Sequence, residues 1–222
     1  QAPYLSYALK ISDYNHILTL DAFLQGKILV QDISSMLVAE AASPKKGDYI
    51  IDMCAAPGGK SIHVADKMGD YGNVDARDVS QYKADLIKEN IQRTGVINVD
   101  AKVQDATIYD PESEQAADIV IADVPCSGYG VIGKKPEIKY RATPQKQEEI
   151  VMLQRMILDK AAKYVKPDGT LIFSTCTIAR EENEENVHKF LETHTEFELE
   201  HMRQCFPYEG CDGFFMAKFR RK

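Results

Sequence analysis

The 222-residue sequence lacks several signatures that would mark a membrane, secreted or metal-binding protein. No stretch approaches the roughly 20 consecutive apolar residues of a membrane-spanning helix. The opening segment QAPYLSYALK has neither the charged nor the apolar region of a signal peptide. The five cysteines are odd in number and include no C-x-x-C pair, which disfavours a disulfide framework and a structural zinc site. These absences predict a cytoplasmic protein with free thiols, no metal and no membrane partner.

Positive charge is also scarce, because 27 Lys and Arg residues stand against 34 Asp and Glu, for a net charge of -7. Indiscriminate binding to nucleic acid needs a cationic face, so the overall composition argues against it. A local basic surface remains compatible with the sequence. No internal repeat or low-complexity linker divides the chain.

What the sequence does contain is an alternation of strand and helix patterns after Asp48. Apolar runs such as YIID, ADIVIAD and GTLIFST alternate with amphipathic stretches, including 80–94, 145–165 and 180–193. Such alternation predicts βαβ units and a mostly parallel sheet with helices on both faces. EFELEHM and DGFFMAKFRR, near the end of the sequence, predict a terminal strand pair.

The first 32 residues carry too little apolar surface for a core of their own. Their runs IL and ILV, on either side of Gly26, have strand character, and the segment is typical of the end of a longer region. A helix over SSMLVAEAA, with Ser34 or Ser35 near its N-cap, is expected to open the main domain at 33–222.

Acidic and small residues follow the predicted strands, at the sheet edge where α/β proteins bind ligands. In IIDMCAAPGGKS, small residues, a proline and two glycines precede a helix, whose first N–H groups favour an anion. This segment is neither a phosphate loop nor a full G-x-G-x-x-G fingerprint, which argues against a phosphate-rich nucleotide. Asp78 follows in the position of a ribose-binding acid, and Asp105 ends the next strand, where it could meet an adenine amino group.

Adenosine without a pyrophosphate suits this acidic pattern. Taken singly, each of the carboxylates of Asp52, Asp78 and Asp105 is equally well explained as a helix or turn cap. Three in succession at one sheet edge favour a ligand.

Two cysteines also follow strand patterns, Cys126 in ADVPCSGYG and Cys176 in GTLIFSTCTI. For either alone, an inert buried thiol is the more common explanation, because free cysteine is among the most buried residue types. That explanation is retained for Cys205 and Cys211. The paired placement of Cys126 and Cys176 at strand ends favours chemistry instead.

The motifs DMCAAPGGKS, DVPCSGYG, KPEIKY, STCTIAREENE and DGFFMAKF together resemble the Sun/Fmu-type RNA cytosine carbon-5 methyltransferases, and among them the bacterial enzymes of small-subunit (16S) ribosomal RNA. The resemblance runs from VQDISS to the last residue. It implies an α/β, Rossmann-like S-adenosylmethionine-dependent methyltransferase fold, with a mostly parallel seven-stranded sheet, helices on both faces and an antiparallel C-terminal strand. It also implies an N-terminal RNA-binding region, of which residues 1–32 would be the C-terminal remnant.

The same resemblance implies S-adenosylmethionine in the first half of the sheet and a flipped cytosine in the second. It implies cofactor contacts from Cys54, Ala55, Ala56, Pro57, Gly58, Gly59, Lys60, Asp78, Asp105 and Asp123. The cysteine of the T-C motif, Cys176, is implied as the nucleophile, and that of the P-C motif, Cys126, as the group that releases the product. By analogy, Asp123 would bond the cytosine amino edge, and Lys60 would hold a nearby carboxylate or the ring carbonyl oxygen.

The chemistry gives an independent reason for a cysteine. A thiolate that adds at C6 turns cytosine into an enamine-like species able to attack a sulfonium methyl group. A base must then remove the C5 proton so that the thiolate can leave. The helix predicted from Arg180 is expected to favour the Cys176 thiolate through its dipole. Acidic residues at the start of that helix would partly oppose the effect if they faced the site. They are Glu181, Glu182, Glu184 and Glu185.

A basic segment, GKKPEIKYRATPQK, follows the P-C motif and carries Lys134, Lys135, Lys139, Arg141 and Lys146. We expect it to contact RNA phosphates, with Tyr129 and Tyr140 stacking on bases; a solvated surface loop is the alternative. The target base must be unstacked, so the predicted partner is a loop of small-subunit ribosomal RNA, bound by a monomer. The alternatives are the same chemistry on transfer RNA or another ribosomal RNA, and a noncatalytic RNA-binding or ribosome-assembly module.

Overall fold

The computed structural model describes residues 5–69 and 71–222. Within these ranges the strands are β1 Tyr49–Asp52, β2 Asn73–Asp78, β3 Val99–Val103, β4 Ala117–Asp123, β5 Val165–Thr175, β6 Phe197–Cys205 and β7 Phe214–Arg221. The α-helices are α1 Asp21–Leu24, α2 Ile33–Ala42, α3 Gly59–Met68, α4 Gln81–Thr94, α5 Pro144–Tyr164 and α6 Glu184–Thr193. None of the helices in this part of the chain has the length and apolarity that crossing a bilayer requires.

The strands form a seven-stranded sheet in the order β3-β2-β1-β4-β5-β7-β6. The pairs β1 to β2, β2 to β3, β1 to β4 and β4 to β5 are parallel, and β7 is antiparallel to both β5 and β6. This confirms the predicted mostly parallel sheet with an antiparallel C-terminal strand. The strand order changes direction between β1 and β4, so the loops after these strands part and open a crevice at the carboxyl edge.

Helices cover both faces of the sheet, which explains the continuous apolar runs of the central strands. In β5, Leu171 and Phe173 face one core with Phe190 of α6, while Ile172 faces the other with Val64 of α3. Each of the three strand side chains is fully buried. The alternation follows from the two-residue period of a strand.

Two helix starts differ from the sequence prediction. Helix α2 has its N-cap at Asp32, whose carboxylate accepts the Ser34 N–H at 3.0 Å, so the cap precedes the two serines. Helix α6 begins at Glu184 rather than at Arg180. The intervening turn is held by the Asn183 side chain, which donates to the Thr177 carbonyl at 3.1 Å and thereby delays the helix.

The described part of the N-terminal segment, residues 5–32, packs against α4, and its IL and ILV runs do not form the strands that the sequence suggested. Residues 17–19 form a 3-10 turn, and residues 28–30 have no regular structure. Arg93 donates to the carbonyls of Phe23 and Ile28 at 2.9 and 3.1 Å, and its guanidinium lies 4.0 Å from the Phe23 ring centroid. Short apolar runs on a domain surface need not pair as strands, because tertiary contacts decide their conformation. The domain boundary at residue 32 stays a prediction.

Candidate active site

The predicted site residues lie along one edge of the sheet. Asp52 ends β1, Asp78 ends β2 and Asp123 ends β4, while Cys176 directly follows β5. Asp105 lies two residues beyond β3. Because these strands are parallel, their carboxyl ends meet at the same edge, as the sequence predicted.

Asp78 fixes the loop between β1 and α3. Its Oδ2 accepts the Ala56 N–H at 2.9 Å, and its Oδ1 accepts the Val79 N–H at 2.8 Å and pairs with Lys83 at 3.0 Å. The loop enters α3 through Gly58, whose φ of +101° disfavours any other residue type. The N-cap residue of α3, Gly58, has no side chain that could cap the helix, which leaves its first N–H groups to an anionic group.

Asp105 and Cys54 complete this half of the edge. Asp105 Oδ1 accepts the N–H and the hydroxyl of Thr107 at 2.8 and 2.7 Å, and its other oxygen has no partner among residues 5–69 and 71–222. The Gln104 N–H donates to the Asp78 carbonyl at 2.9 Å, which ties the two acidic segments together. Burial, reinforced by nearby carboxylates, raises the pKa of Cys54, so this cysteine lines the loop as a neutral thiol.

Lys60 and Asp123 form an ion pair that joins the two halves of the site. Lys60 Nζ lies 2.6 Å from Asp123 Oδ2, and the Ser174 hydroxyl donates to Asp123 Oδ1 at 2.7 Å. Burial alone would lower the pKa of Lys60, but the carboxylates of Asp123 and Asp52 outweigh it and raise that pKa. Lys60 therefore remains a cation with a carboxylate partner, one of the two positions considered for it from the sequence.

Asp52, which the sequence indicated only as one of the three carboxylates that favour a ligand, is a buried titratable group. Its side chain is fully buried, Oδ2 accepts the Ser61 hydroxyl at 2.6 Å, and Oδ1 has no hydrogen-bond partner in the described part of the chain. Burial raises the pKa of Asp52 to about 7, against the opposing effects of Ser61 and Lys60. The sequence carries one signal for this raised pKa. Asp52 ends an apolar strand, where a carboxylate is poorly solvated.

Asp52→Asn is expected to remove a pH dependence of stability. Because the folded pKa lies above the unfolded value of 3.8, stability from this group is present at low pH and is lost as pH rises through about 7. Wild type should therefore lose about 1.4 kcal/mol relative to Asp52→Asn between pH 6 and pH 8. Urea unfolding at both pH values measures this difference, and a difference that does not change with pH would contradict the assignment. Asp85→Asn on the surface of α4 is the control.

The cysteines of the P-C and T-C motifs are in contact. Cys126 Sγ and Cys176 Sγ are 3.1 Å apart, and both side chains are partly buried. The hydrogen bond with Cys126 lowers the pKa of Cys176, assisted by Lys60 and opposed by burial and the charge of Asp123. The same hydrogen bond, together with burial, raises the pKa of Cys126. Of the two thiols, Cys176 is therefore the one whose surroundings favour loss of the proton.

The helix start predicted next to Cys176 is wrong. Helix α6 begins at Glu184 rather than at Arg180, so Cys176 does not directly precede a helix. The stabilising groups are instead Cys126 and Lys60, which come from two other segments of the chain. Sequence spacing carries no signal for such contacts.

The loops that carry the two cysteines are in direct contact. The Gly130 N–H donates to the Cys176 carbonyl at 3.1 Å, and the Gly213 N–H donates to the Gly130 carbonyl at 3.0 Å. A Cβ at Gly130 would lie 1.8 Å from the Gly213 carbonyl oxygen, so only glycine fits. The close approach that brings the sulfur atoms together thus depends on glycine in the SGYG part of the P-C motif.

The basic segment after the P-C motif is partly neutralised. Lys134 Nζ lies 3.1 Å from Asp32 and 2.8 Å from Asp212, so it connects distant segments of the chain. Lys139 Nζ lies 4.9 Å from the ring centroid of Tyr140, which is 80% exposed. The remaining lysines and arginine of the segment are exposed. They form a smaller basic surface than the sequence suggests.

Comparison with known proteins places this geometry in context. The model of a family described as 16S rRNA methyltransferase RsmB/F matches residues 39–220. Probable ribosomal RNA small subunit methyltransferase B of Bacillus subtilis is 40% identical over 220 residues, covering 90% of this chain and 49% of that protein. The chain thus spans about half the length of this relative.

Solved structures share the fold. NSun6 from Pyrococcus horikoshii, in a structure with SFG, has a TM-score of 0.82 and 32% identity over 94% of this chain and 56% of that chain. An S-adenosylmethionine-dependent O-methyltransferase from Thermotoga maritima has a TM-score of 0.57 and 20% identity over 87% of this chain and 66% of that chain, a likeness of fold alone. The predicted methyltransferase fold is confirmed, and S-adenosylmethionine is the cofactor implied by family and fold.

Proposed function

The chain belongs to the 16S rRNA methyltransferase RsmB/F family, and from this premise we propose that it transfers a methyl group from S-adenosylmethionine to C5 of a cytosine in small-subunit ribosomal RNA. One observation carries the proposal: Cys126 and Cys176 lie 3.1 Å apart beside the Lys60–Asp123 ion pair. Carbon-5 methylation needs a nucleophile that adds to the ring and later leaves it. A pair of thiols with opposite pKa shifts suits that cycle.

The residues along the first half of the edge fit the cofactor. S-adenosylmethionine supplies an electrophilic methyl group when bound. The uncapped start of α3 suits its carboxylate, and the free oxygen of Asp105 suits an adenine amino group. Asp78 holds the loop 54–59 in place and supports the ribose side. Neutral Cys54 and the small residues beside it let the ligand approach the backbone.

The second half of the edge supplies the groups for the base. Cys176, as the thiolate, adds to C6 of cytosine. The Asp123 carboxylate, oriented by Lys60 and Ser174, accepts a hydrogen bond from the cytosine amino group. After methyl transfer the C5 proton leaves to a base and the bond between C6 and the Cys176 sulfur breaks. Cys126, within hydrogen-bond distance of that sulfur, assists its departure as a proton donor.

RNA would reach this pocket across the basic segment. The 3-10 turn Pro136–Tyr140 packs on the loop that carries Cys126, here called the P-C loop. A Cβ at Gly128 in this loop would lie 3.1 Å from Ile138 Cδ1. The exposed cations Lys135, Lys139 and Arg141 therefore lie next to the cysteine loops. Such an arrangement suits phosphates that flank an unstacked base.

The test is cofactor binding followed by methyl transfer. Calorimetry should detect S-adenosylmethionine binding by the chain, and Asp78→Ala should weaken it at least about tenfold, because the anchor of the cofactor loop is lost. Asp100→Ala, at an exposed position of β3, is the matched control and should bind normally. Methyl transfer to small-subunit ribosomal RNA should yield 5-methylcytosine by nucleoside mass spectrometry. Binding of RNA without methylation would support a noncatalytic module instead.

A further inference from the structure

A buried carboxylate connects the two cysteine loops. Glu182 lies in the turn between β5 and α6 and is fully buried, unlike its exposed neighbour Glu181. Its Oε2 accepts the N–H of Ser127, next to Cys126, at 2.9 Å. The sequence indicated only an acidic residue at a helix start, whereas the structure turns this one inward.

Helix α5 supplies the other donors to this carboxylate. The Gln154 amide donates to Glu182 Oε2 at 2.8 Å and to the Pro125 carbonyl at 2.9 Å, and the Gln147 amide donates to Glu182 Oε1 at 2.7 Å. Gln154 is itself fully buried. The backbone on both sides of Cys126 is therefore held by one cluster, with Pro125 bound to Gln154 and Ser127 bound to Glu182.

The loop that carries Cys176 after β5, here called the T-C loop, is held in the same way. Asn183, the residue after Glu182, accepts the Thr175 hydroxyl at 2.6 Å and donates to the Thr177 carbonyl at 3.1 Å. Cys176 thus also lies between two fixed neighbours. The hydroxyls of Ser127 and Thr177 are 2.8 Å apart and connect the two loops directly.

Burying a carboxylate is costly unless it is paired or hydrogen-bonded. Within the described ranges no Lys, Arg or His forms an ion pair with Glu182, and three N–H donors satisfy it instead. An apolar side chain would fill a purely structural position at lower cost. This arrangement indicates that Glu182 is present as a hydrogen-bond acceptor. Its oxygens hold the Ser127 backbone against the turn after β5.

We propose that Glu182 is a positioning residue that sets the distance between Cys126 and Cys176 by fixing the P-C loop against the T-C loop. Its catalytic consequence rests on the proposed function, but its effect on the two thiols does not. Glu182→Gln keeps the shape and replaces one acceptor oxygen by a donor amide. Glu185→Gln, an exposed change in the first turn of α6, is the matched control.

The first measurement is thiol alkylation by iodoacetamide, read at each cysteine by mass spectrometry. Glu182→Gln should change the ratio of the Cys126 and Cys176 rates by at least about threefold, the effect of losing one hydrogen bond. Cys211 serves as the internal reference, because it lies in the β6–β7 connection. Gln147→Ala, a milder change at a half-exposed position, should shift the ratio in the same direction by a smaller factor.

The second measurement is methyl transfer to RNA. Glu182→Gln should lower kcat by about 10- to 100-fold with KM for RNA and affinity for S-adenosylmethionine nearly unchanged, because only the alignment of the thiols is altered. The proposal is overturned if Glu182→Gln folds and has the wild-type ratio of Cys126 and Cys176 alkylation rates and the wild-type kcat. If Glu182→Gln fails to fold, an unchanged ratio in Gln147→Ala overturns it. If the wild-type protein does not methylate RNA, that result counts against the proposed function. The alkylation ratios would still decide the role of Glu182.

Discussion

Cys126→Ala is expected to accumulate a covalent complex with its RNA, whereas Cys176→Ala forms none and loses at least about a thousandfold in activity. The lowered pKa of Cys176 favours it as the proposed nucleophile, so its loss should remove the group that adds to C6. Cys126 lies 3.1 Å away, so its loss leaves the proposed nucleophile in place. It raises the pKa of Cys176, which slows addition, but it slows departure of the sulfur more, and the adduct builds up. Labelled RNA followed through denaturing electrophoresis measures the complex.

Cys211→Ala is the control for this experiment, because it removes a thiol outside the two motifs. It should retain activity and trap no RNA. An adduct in Cys176→Ala, with none in Cys126→Ala, would exchange the two roles and contradict the assignment. The pair of variants therefore separates nucleophile from release group in one assay.

The strands were predictable from the sequence because their burial leaves a local signature. ADIVIAD and GTLIFST are apolar on both faces, as strands between two helical layers must be, and they form β4 and most of β5. The ends of these strands then placed Asp123 and Cys176 at one edge. The roles of the two cysteines were a different matter, since composition and spacing left them open and only the family resemblance separated them.

What the sequence could not predict depends on contacts between distant segments. Lys134 looks like a free cation in GKKPEIKY, yet it pairs with Asp32 and Asp212, far away on both sides. The start of α6 is delayed by Asn183, whose side chain bonds backbone and side-chain groups of the T-C loop. Glu182 turns inward for the same reason, because its donors lie on α5 and the P-C loop.

The Lys60–Asp123 pair shows how the fold supports the thiolate, and Lys60→Met tests it. The substitution leaves Asp123 and fully buried Asp52 without their cation, which should destabilise the chain by about 3 kcal/mol, the lower end for a broken buried pair because Asp123 is 25% exposed. It should also raise the pKa of Cys176, whose thiolate Lys60 favours. Methyl transfer at neutral pH should fall as a result, on top of any loss of folded protein.

The destabilisation by Lys60→Met should grow with pH. Removing the cation raises the folded pKa of Asp52 further, and a raised folded pKa means stability that is lost as pH rises. Urea unfolding at pH 5 and pH 8 should therefore show the larger deficit at pH 8. Lys88→Met, on the exposed face of α4, should cost less than about 1 kcal/mol at either pH. If the two variants lose equal stability, the Lys60–Asp123 ion pair does not hold the halves of the site together.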